Sequence, residues 1–299
     1  MTISQALDII TPALAAAGIE DPRREARLLV EHACGLTLVA QLTRGKEVLP
    51  AGTAGSLAGA ADRRLTREPL AYITGSRGFW TLDMGVSPAT LIPRSDTESL
   101  IECLCDLRPD RNGVRNILDL GTGTGCLLLA ALAEYPEATG CGTDLSAKAV
   151  FLASANARRN QLDSRCFFIA ADWGTALGGQ FDVILCNPPY IPRGDIPGLM
   201  PDVARFEPAS ALDGGPDGLD DYRKLIPSLP DLLAEGGLAV IEAGAGQSSD
   251  IIRIAERSGL TLAGIREDAG GIPRAVAFGK TSGHGRRDAP SSVNMSEFP

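Results

Sequence analysis

The chain has 299 residues, enough at about 150 residues per domain for two domains, each with its own core. Hydrophobic residues make up 44% and charged residues 22%, with a mean hydropathy of +0.05, a balance that excludes disorder for the bulk of the chain. Lys and Arg total 28 against 37 Asp and Glu, a net charge of −9, which argues against generic binding of free nucleic acid, where cations must displace counterions.

The cysteines, Cys34, Cys103, Cys105, Cys126, Cys141, Cys166 and Cys186, are odd in number and contain no Cys-x-x-Cys pair, and His32 and His284 are the two histidines. That spacing argues against a disulfide framework and against a zinc site. Residues 1–14 have no basic n-region and do not read as a signal peptide, and apolar runs such as 126–133 are too short to span a bilayer. A metal-free, cytoplasmic monomer is expected.

In chain order, Ile3, Leu7, Ile10, Leu14 and Ala17 recur at helical spacing and predict an amphipathic helix over 3–17. Asp21 and Pro22 supply an N-cap and first-turn proline for a second helix whose apolar side carries Ala26, Leu29, Val30 and Ala33. A third helix is expected over about 53–67, so residues 1–71 read as a helical domain. In 72–86, aromatic and β-branched residues alternate around Gly75, Gly78 and Gly85, which predicts a hairpin within a linker over 72–90.

From Asn116 onward strand and helix patterns alternate. Strands are predicted at 116–120, 138–143, 166–170, 181–186, 238–243 and 261–267, with helical stretches between most of them. This alternation defines an α/β fold, a Rossmann-like, mostly parallel sheet covered on both faces, occupying 91–280. The run at 275–279 follows Gly270, Gly271 and Pro273 too closely for a crossover helix, so it is expected as an antiparallel edge strand. Residues 281–299 are poor in apolar side chains and are expected to be a disordered tail.

The first strand of this region runs into Gly121-Thr122-Gly123-Thr124-Gly125 and then a helix, where glycine lets the backbone turn tightly and approach a ligand. A strand-to-helix turn that needs glycine only for sharpness accounts for the loop alone equally well. Asp144 ends the second strand 21 residues after Gly123, the place from which a carboxylate accepts ribose hydroxyls. It also suits a helix N-cap near Ser146. The nicotinamide fingerprint requires glycine or alanine where this chain has Cys126, so the loop fits S-adenosylmethionine better. Asp172 and Trp173, past the third strand, offer an acceptor for an adenine amino group and an indole to stack on the base. A tryptophan filling the interface of sheet and helix is the competing account.

The fourth strand ends in Asn187-Pro188-Pro189-Tyr190. Two prolines fix two φ angles and remove two donors, leaving a rigid segment of carbonyl acceptors. A planar NH₂ group needs acceptors to orient it as it attacks a methyl sulfonium. The Asn187 side-chain oxygen and the Pro188 carbonyl are expected to take one hydrogen each while Tyr190 packs against the flat group, with no strong base in the site.

Asn187-Pro188-Pro189-Tyr190 resembles the motif of methyltransferases acting on planar nitrogens. Leu91-Ile92-Pro93-Arg94-Ser95-Asp96-Thr97-Glu98 is similar to a signature of the release factor glutamine methyltransferase family, as are Arg205-Phe206-Glu207-Pro208 with the run to Tyr222, and Phe79-Trp80 in the hairpin. The resemblance covers nearly the whole chain except the tail. It implies that Gly121, Thr122, Gly123, Thr124, Gly125, Asp144, Trp173 and Asn187 hold S-adenosylmethionine, joined by Asp172 on the reading above, and that Asn187, Pro188, Pro189 and Tyr190 hold a glutamine. The implied partner is a peptide chain release factor, methylated on N5 of the glutamine in its Gly-Gly-Gln loop. Ser95-Asp96 departs from the family's Pro-Glu, and Ser95 with Glu98 reads equally well as a capping box, so Arg94 and Glu98 either contact ligand or only open the next helix. Arg23, Arg24, Arg27, Arg63, Arg64 and Arg67 form either a docking face for an acidic partner or a solvated surface. A ribosomal-protein glutamine and a nucleic-acid adenine are the alternative substrates.

Overall fold

The computed structural model describes residues 1–175 and 177–280, so the expected tail lies outside the described residues. The chain opens with α1 (Ile3–Ala16), where the Thr2 hydroxyl accepts the Gln5 N–H and the Gln5 side chain accepts the Thr2 N–H. Asp21 caps α2 (Pro22–Cys34) by accepting the Arg24 N–H, and Gly35 ends it in the left-handed conformation. Next come α3 (Leu38–Thr43), α4 (Thr53–Leu65) and α5 (Leu70–Thr74). The reading of three helices missed α3 and α5, which are six and five residues long, too short to display a helical repeat. Ile3, Leu7, Leu14, Leu29, Val30 and Leu57 bury into one core, separate from the cores of the sheet.

Gly75 terminates α5 in the left-handed region, so the hairpin begins later than expected, with β1 (Ser76–Phe79) and β2 (Leu82–Gly85). Phe79 and Met84 of this hairpin are buried in the core under the main sheet.

The main sheet holds β3 (Asn116–Leu120), β4 (Thr139–Asp144), β5 (Cys166–Ala170), β6 (Phe181–Cys186), β7 (Leu233–Glu242), β8 (Leu260–Glu267) and β9 (Pro273–Lys280). Their spatial order is β5-β4-β3-β6-β7-β9-β8, all parallel except β9. Period-two alternation divides the strands between two apolar faces. Ile117, Val183, Leu185 and Val240 pack under α6 (Glu98–Leu107) and α7 (Cys126–Glu134). Leu118, Ile184, Ala239 and Val276 pack against α10 (Asp220–Leu225), α11 (Leu229–Leu232) and α12 (Ser248–Arg257). The remaining helices are α8 (Ala147–Arg159) and the short α9 (Pro201–Phe206).

The last strand pairs antiparallel with its predecessor as expected, but it is not outermost: β9 lies between β7 and β8, and β8 is the edge. Ala275, Val276, Ala277 and Phe278 are buried on both faces, whereas β8 alternates toward solvent, so burial drives β9 inward. The tight reversal needs the Asp268 carboxylate, which accepts the N–H groups of Gly270 and Ile272. Among the described residues no helix is long and apolar enough to cross a membrane.

Most of the arginines that suggested a docking face are engaged within the molecule. Arg23 pairs with Asp8, Arg63 with Glu68, Arg64 with Glu25 and Asp202, and Arg67 with Asp202. The last two join α4 and its C-terminal turn to α9, so they tie the helical region to the sheet region rather than to an outside partner.

Candidate active site

Strand register brings the separated motifs together. Leu120 of β3 pairs with Thr143 of β4 on one side and with Cys186 of β6 on the other, so Gly121, Asp144 and Asn187 leave three adjacent parallel strands at one level. Asp144 pairs with Ala170, which places Asp172 and Trp173 just past the fourth strand end, and Cys186 pairs with Ile241, which places Glu242 beside Asn187. Ligands of doubly wound sheets bind at this carboxyl edge, and the edge here holds every residue expected from the sequence.

The three loop glycines have different tasks. Gly121, at φ +71°, has the Trp173 indole 3.1 Å from where a Cβ would stand, and Gly125, at φ +83°, has the Ala153 Cβ of α8 at 3.2 Å. Gly123, at φ +55°, meets nothing nearer than 4.0 Å, so the space above it is free for a ligand. The Gly123 N–H donates to Asp144 Oδ2 at 2.9 Å, and the Ser146 N–H donates to Oδ1 at 2.8 Å. Ser146 itself caps α8, so Asp144 holds both the loop and the capping residue of the next helix without being the cap. Thr122 is tied twice, its N–H to the Thr143 carbonyl at 2.8 Å and its hydroxyl to Asp119 Oδ2 at 2.6 Å. The Thr124 carbonyl accepts Asn156 Nδ2 at 2.9 Å, and the same carboxamide clasps both backbone groups of Gly85, pinning the hairpin to the loop.

Asp172 is exposed, and its carbonyl closes a turn to Thr175. Trp173 is held at φ +48°, a left-handed conformation that a non-glycine residue adopts only when its surroundings impose it. Its indole lies against Gly121 and the core below, so it both fills the interface and walls the loop.

Beneath the loop, Asp119 Oδ1 and Thr90 Oγ1 are buried without hydrogen-bond partners. Burial pushes the Asp119 carboxyl up to about 7, against the bond from Thr122. A free cradle at Gly123, a positioned carboxylate at Asp144 and orphaned acceptors nearby fit S-adenosylmethionine, whose ribose hydroxyls and ammonium are donors and which carries no pyrophosphate for the helix end.

In the neighbouring motif, Pro188 is buried and Asn187, Pro189 and Tyr190 are half-buried. Asn187 Nδ2 donates to the Thr97 hydroxyl at 3.2 Å. The Tyr190 hydroxyl donates to Glu242 Oε1 at 3.1 Å, and the Tyr190 carbonyl accepts Gln247 Nε2 at 2.9 Å. A Cβ at Gly218 would stand 2.3 Å from that carbonyl, which explains the glycine-rich approach at 214–218. Beside this motif stands an acid that the sequence reading did not single out, Glu242, whose carboxyl burial pushes up to about 7. It was missed although it is the one acid in the apolar run of β7, at the same carboxyl edge as Asp144 and Asn187.

The capping box expected of Ser95 and Glu98 does not form. Thr97 precedes α6 without a side-chain cap bond, and Glu98 instead accepts the Trp80 N–H of the hairpin turn at 2.8 Å. Arg94 pairs with the buried Glu207, which also accepts the Ile92 N–H at 3.1 Å. The two stretches on either side of the strand-end motif are thus clamped to each other.

This sheet order, with a glycine loop, an acid-tipped second strand and an acceptor motif at one edge, defines a class I methyltransferase dependent on S-adenosylmethionine. The fold is shared with the catalytic domain of hMettl16, solved in complex with MAT2A 3'UTR hairpin 6, at a TM-score of 0.56 and 15% identity over 74% of this chain and 83% of that one. Residues 5–75 match the PrmC N-terminal domain family, and residues 95–196 match the methyltransferase small domain family. A release factor glutamine methyltransferase of Rhodospirillum rubrum is 46% identical over 88% of this chain and 80% of its own length. One of Bradyrhizobium diazoefficiens is 40% identical over 93% and 95% respectively. The chain belongs to the release factor glutamine methyltransferase family.

Proposed function

We propose that this enzyme transfers a methyl group from S-adenosylmethionine to N5 of the glutamine side-chain amide in the Gly-Gly-Gln loop of peptide chain release factors. The observation that carries the reading is the register of Leu120 with Cys186, which sets the Asn187 carboxamide beside the glycine loop. When bound, S-adenosylmethionine supplies the electrophilic methyl sulfonium. Gly121, Thr122, Gly123, Thr124 and Gly125 cradle it, Asp144 accepts its ribose hydroxyls, and Asp172 and Trp173 face its adenine.

An amide nitrogen has its lone pair conjugated and is a poor nucleophile. Asn187 Oδ1 and the Pro188 carbonyl accept its two hydrogens, orienting it and favouring the positive charge that develops on it. Pro188 and Pro189 hold those acceptors rigidly, and Tyr190, anchored through its hydroxyl and carbonyl, packs against the planar amide.

Within this reading residues 1–71 dock the release factor, 72–90 link, and 91–280 catalyse, as a metal-free cytoplasmic monomer without a nucleic-acid partner. Labelled S-adenosylmethionine is incubated with a release factor and with the same factor carrying Gln→Ala in its Gly-Gly-Gln loop. Label on the first and none on the second is expected, and label surviving the substitution would point to another target.

A further inference from the structure

The helical region and the main sheet share no apolar core. Among the described residues the core of the helical region ends at Ile73, and the cores on the two faces of the sheet begin at Phe79. An open cleft of about 230 Å³ runs between the two regions, lined by Leu28 and Leu70 of the one and by Ile92, Met200 and Val203 of the other. Regions joined without a shared core are free to move against each other unless something else fixes them.

Asp202 of α9 bridges the cleft. Its Oδ1 accepts Arg67 Nε at 2.5 Å, and its Oδ2 lies 2.8 Å from Arg64 Nη1. Arg64 is 4% exposed and is held in turn by the Glu25 carboxylate and the Glu68 carbonyl. Arg67 also donates to the carbonyls of Ala17 and Gly18, just past α1, at 3.2 and 2.5 Å. Its backbone stands at φ +74°, which a non-glycine residue adopts only where its surroundings impose it. Replacing a buried ion network by apolar side chains often costs no stability, so such a network is better suited to fixing one arrangement than to holding a fold together.

The other end of this bridge belongs to the active site. Helix α9 lies in the excursion 191–213, which leaves the strand-end motif directly after Tyr190. Its base is closed, with the Ile191 N–H donating to the Leu212 carbonyl at 3.0 Å and the Ile191 carbonyl accepting the Gly214 N–H at 2.9 Å. Glu207, just past α9, ties the same excursion to Arg94 and to the Ile92 N–H. Asp202 thus stands on a segment anchored to the motif at both ends. Building on the reading above, in which residues 1–71 dock the release factor, we propose that Asp202 is a positioning residue that fixes this docking region relative to Asn187-Pro188-Pro189-Tyr190. A protein substrate gripped at two places gains from the second contact only when the span and angle between them match its own shape. With Arg64 and Arg67 closed on Asp202, a release factor held by the helical region meets the motif with its glutamine in place.

The test compares Asp202→Ala, Arg67→Gly and the double variant with the wild-type chain, measuring kcat and KM for a release factor, Kd for S-adenosylhomocysteine by calorimetry, and Tm. Glycine takes up φ +74° freely, so Arg67→Gly removes the grip without backbone strain and carries the test if Asp202→Ala fails to fold. Each single variant should raise KM about tenfold while kcat and Kd change less than about threefold, which marks lost docking rather than lost chemistry. The double variant should lie within about threefold of the worse single, since both break one node. A KM within about threefold of wild type for the folded single variants would overturn the inference. A fall in kcat or in cofactor affinity as large as the rise in KM would also overturn it, because the site itself would then be disturbed, and so would effects that multiply in the double variant. Absence of methyl transfer by the wild-type chain would instead overturn the glutamine reading, and the positioning role with it.

Discussion

Asp144 accepts the backbone N–H of Gly123 at 2.9 Å, so the acid that ends one strand sets the conformation of the glycine loop that ends its neighbour. The carboxylate organises the cradle from within. Asp144→Ala should lower affinity for S-adenosylhomocysteine by roughly 10-fold to 100-fold, the range for losing charge-assisted hydrogen bonds. Asp144→Asn, which keeps one acceptor, should fall between. Calorimetric Kd values check this, and an unchanged Kd for Asp144→Ala would be inconsistent with the site.

Glycine substitutions should separate ligand space from packing space. Gly123→Ala has room for its methyl group and should cost about 1–2 kcal/mol for a left-handed alanine. Gly125→Ala bears the same strain and also presses on Ala153, so its Tm should fall further. Cofactor affinity should reverse the order, falling more for Gly123→Ala once the fraction folded is accounted for. Parallel thermal melts and calorimetry give both quantities.

The clamp between Arg94 and Glu207 predicts a pH-dependent penalty. Glu207 is buried, and burial raises its carboxyl above the ordinary value while Arg94 opposes that rise. Arg94→Ala leaves this carboxylate without its cation and should destabilise the chain by about 2 kcal/mol at pH 8. Lowering the pH protonates Glu207 more readily in the variant than in the wild type, so the penalty should shrink toward pH 5. Urea unfolding at both values measures it, and a penalty that grows on acidification would be contrary evidence.

Asp119 gives a second titration with a definite sign. Its folded value, about 7, lies above the 3.8 of an ordinary aspartate because the group is buried. The stability associated with its neutral form is fully present below about pH 3.8 and is lost as pH rises through 7. Asp119→Asn removes that titration. The stability of wild type minus that of Asp119→Asn should therefore decline from pH 4 to pH 7 and level off above, in urea unfolding at unit intervals.

Much of this site was legible because its residues sit where patterns end. Gly121 and Asn187 directly follow apolar runs, and Asp144 and Trp173 stand at or just past the ends of neighbouring strands, ends that parallel alternation puts on one edge. Strands at 116–120 and 181–186 match the sequence reading to the residue, since their flanks are polar or glycine, and 166–170 matches as well. What escaped depends on contacts distant in sequence. Thr97 looks like a helix start until Asn187 is beside it, and Glu98 like a cap until the hairpin presents the Trp80 N–H. Asn156 is one polar residue on a helix whose buried role is set by Gly85 and Thr124. The place of β9 inside the sheet follows from burial on both faces, which a short run of Ala, Val, Ala and Phe does not distinguish from one.

The central claim is that Asn187 supplies an acceptor to the attacking nitrogen, and single-turnover methyl transfer by Asn187→Ala tests it most directly. With saturating S-adenosylmethionine and a release factor, the rate should fall by roughly 100-fold, as for loss of one preorganised polar contact, while Kd for S-adenosylhomocysteine changes much less. A rate near wild type, or a loss accounted for by cofactor affinity, would contradict the account.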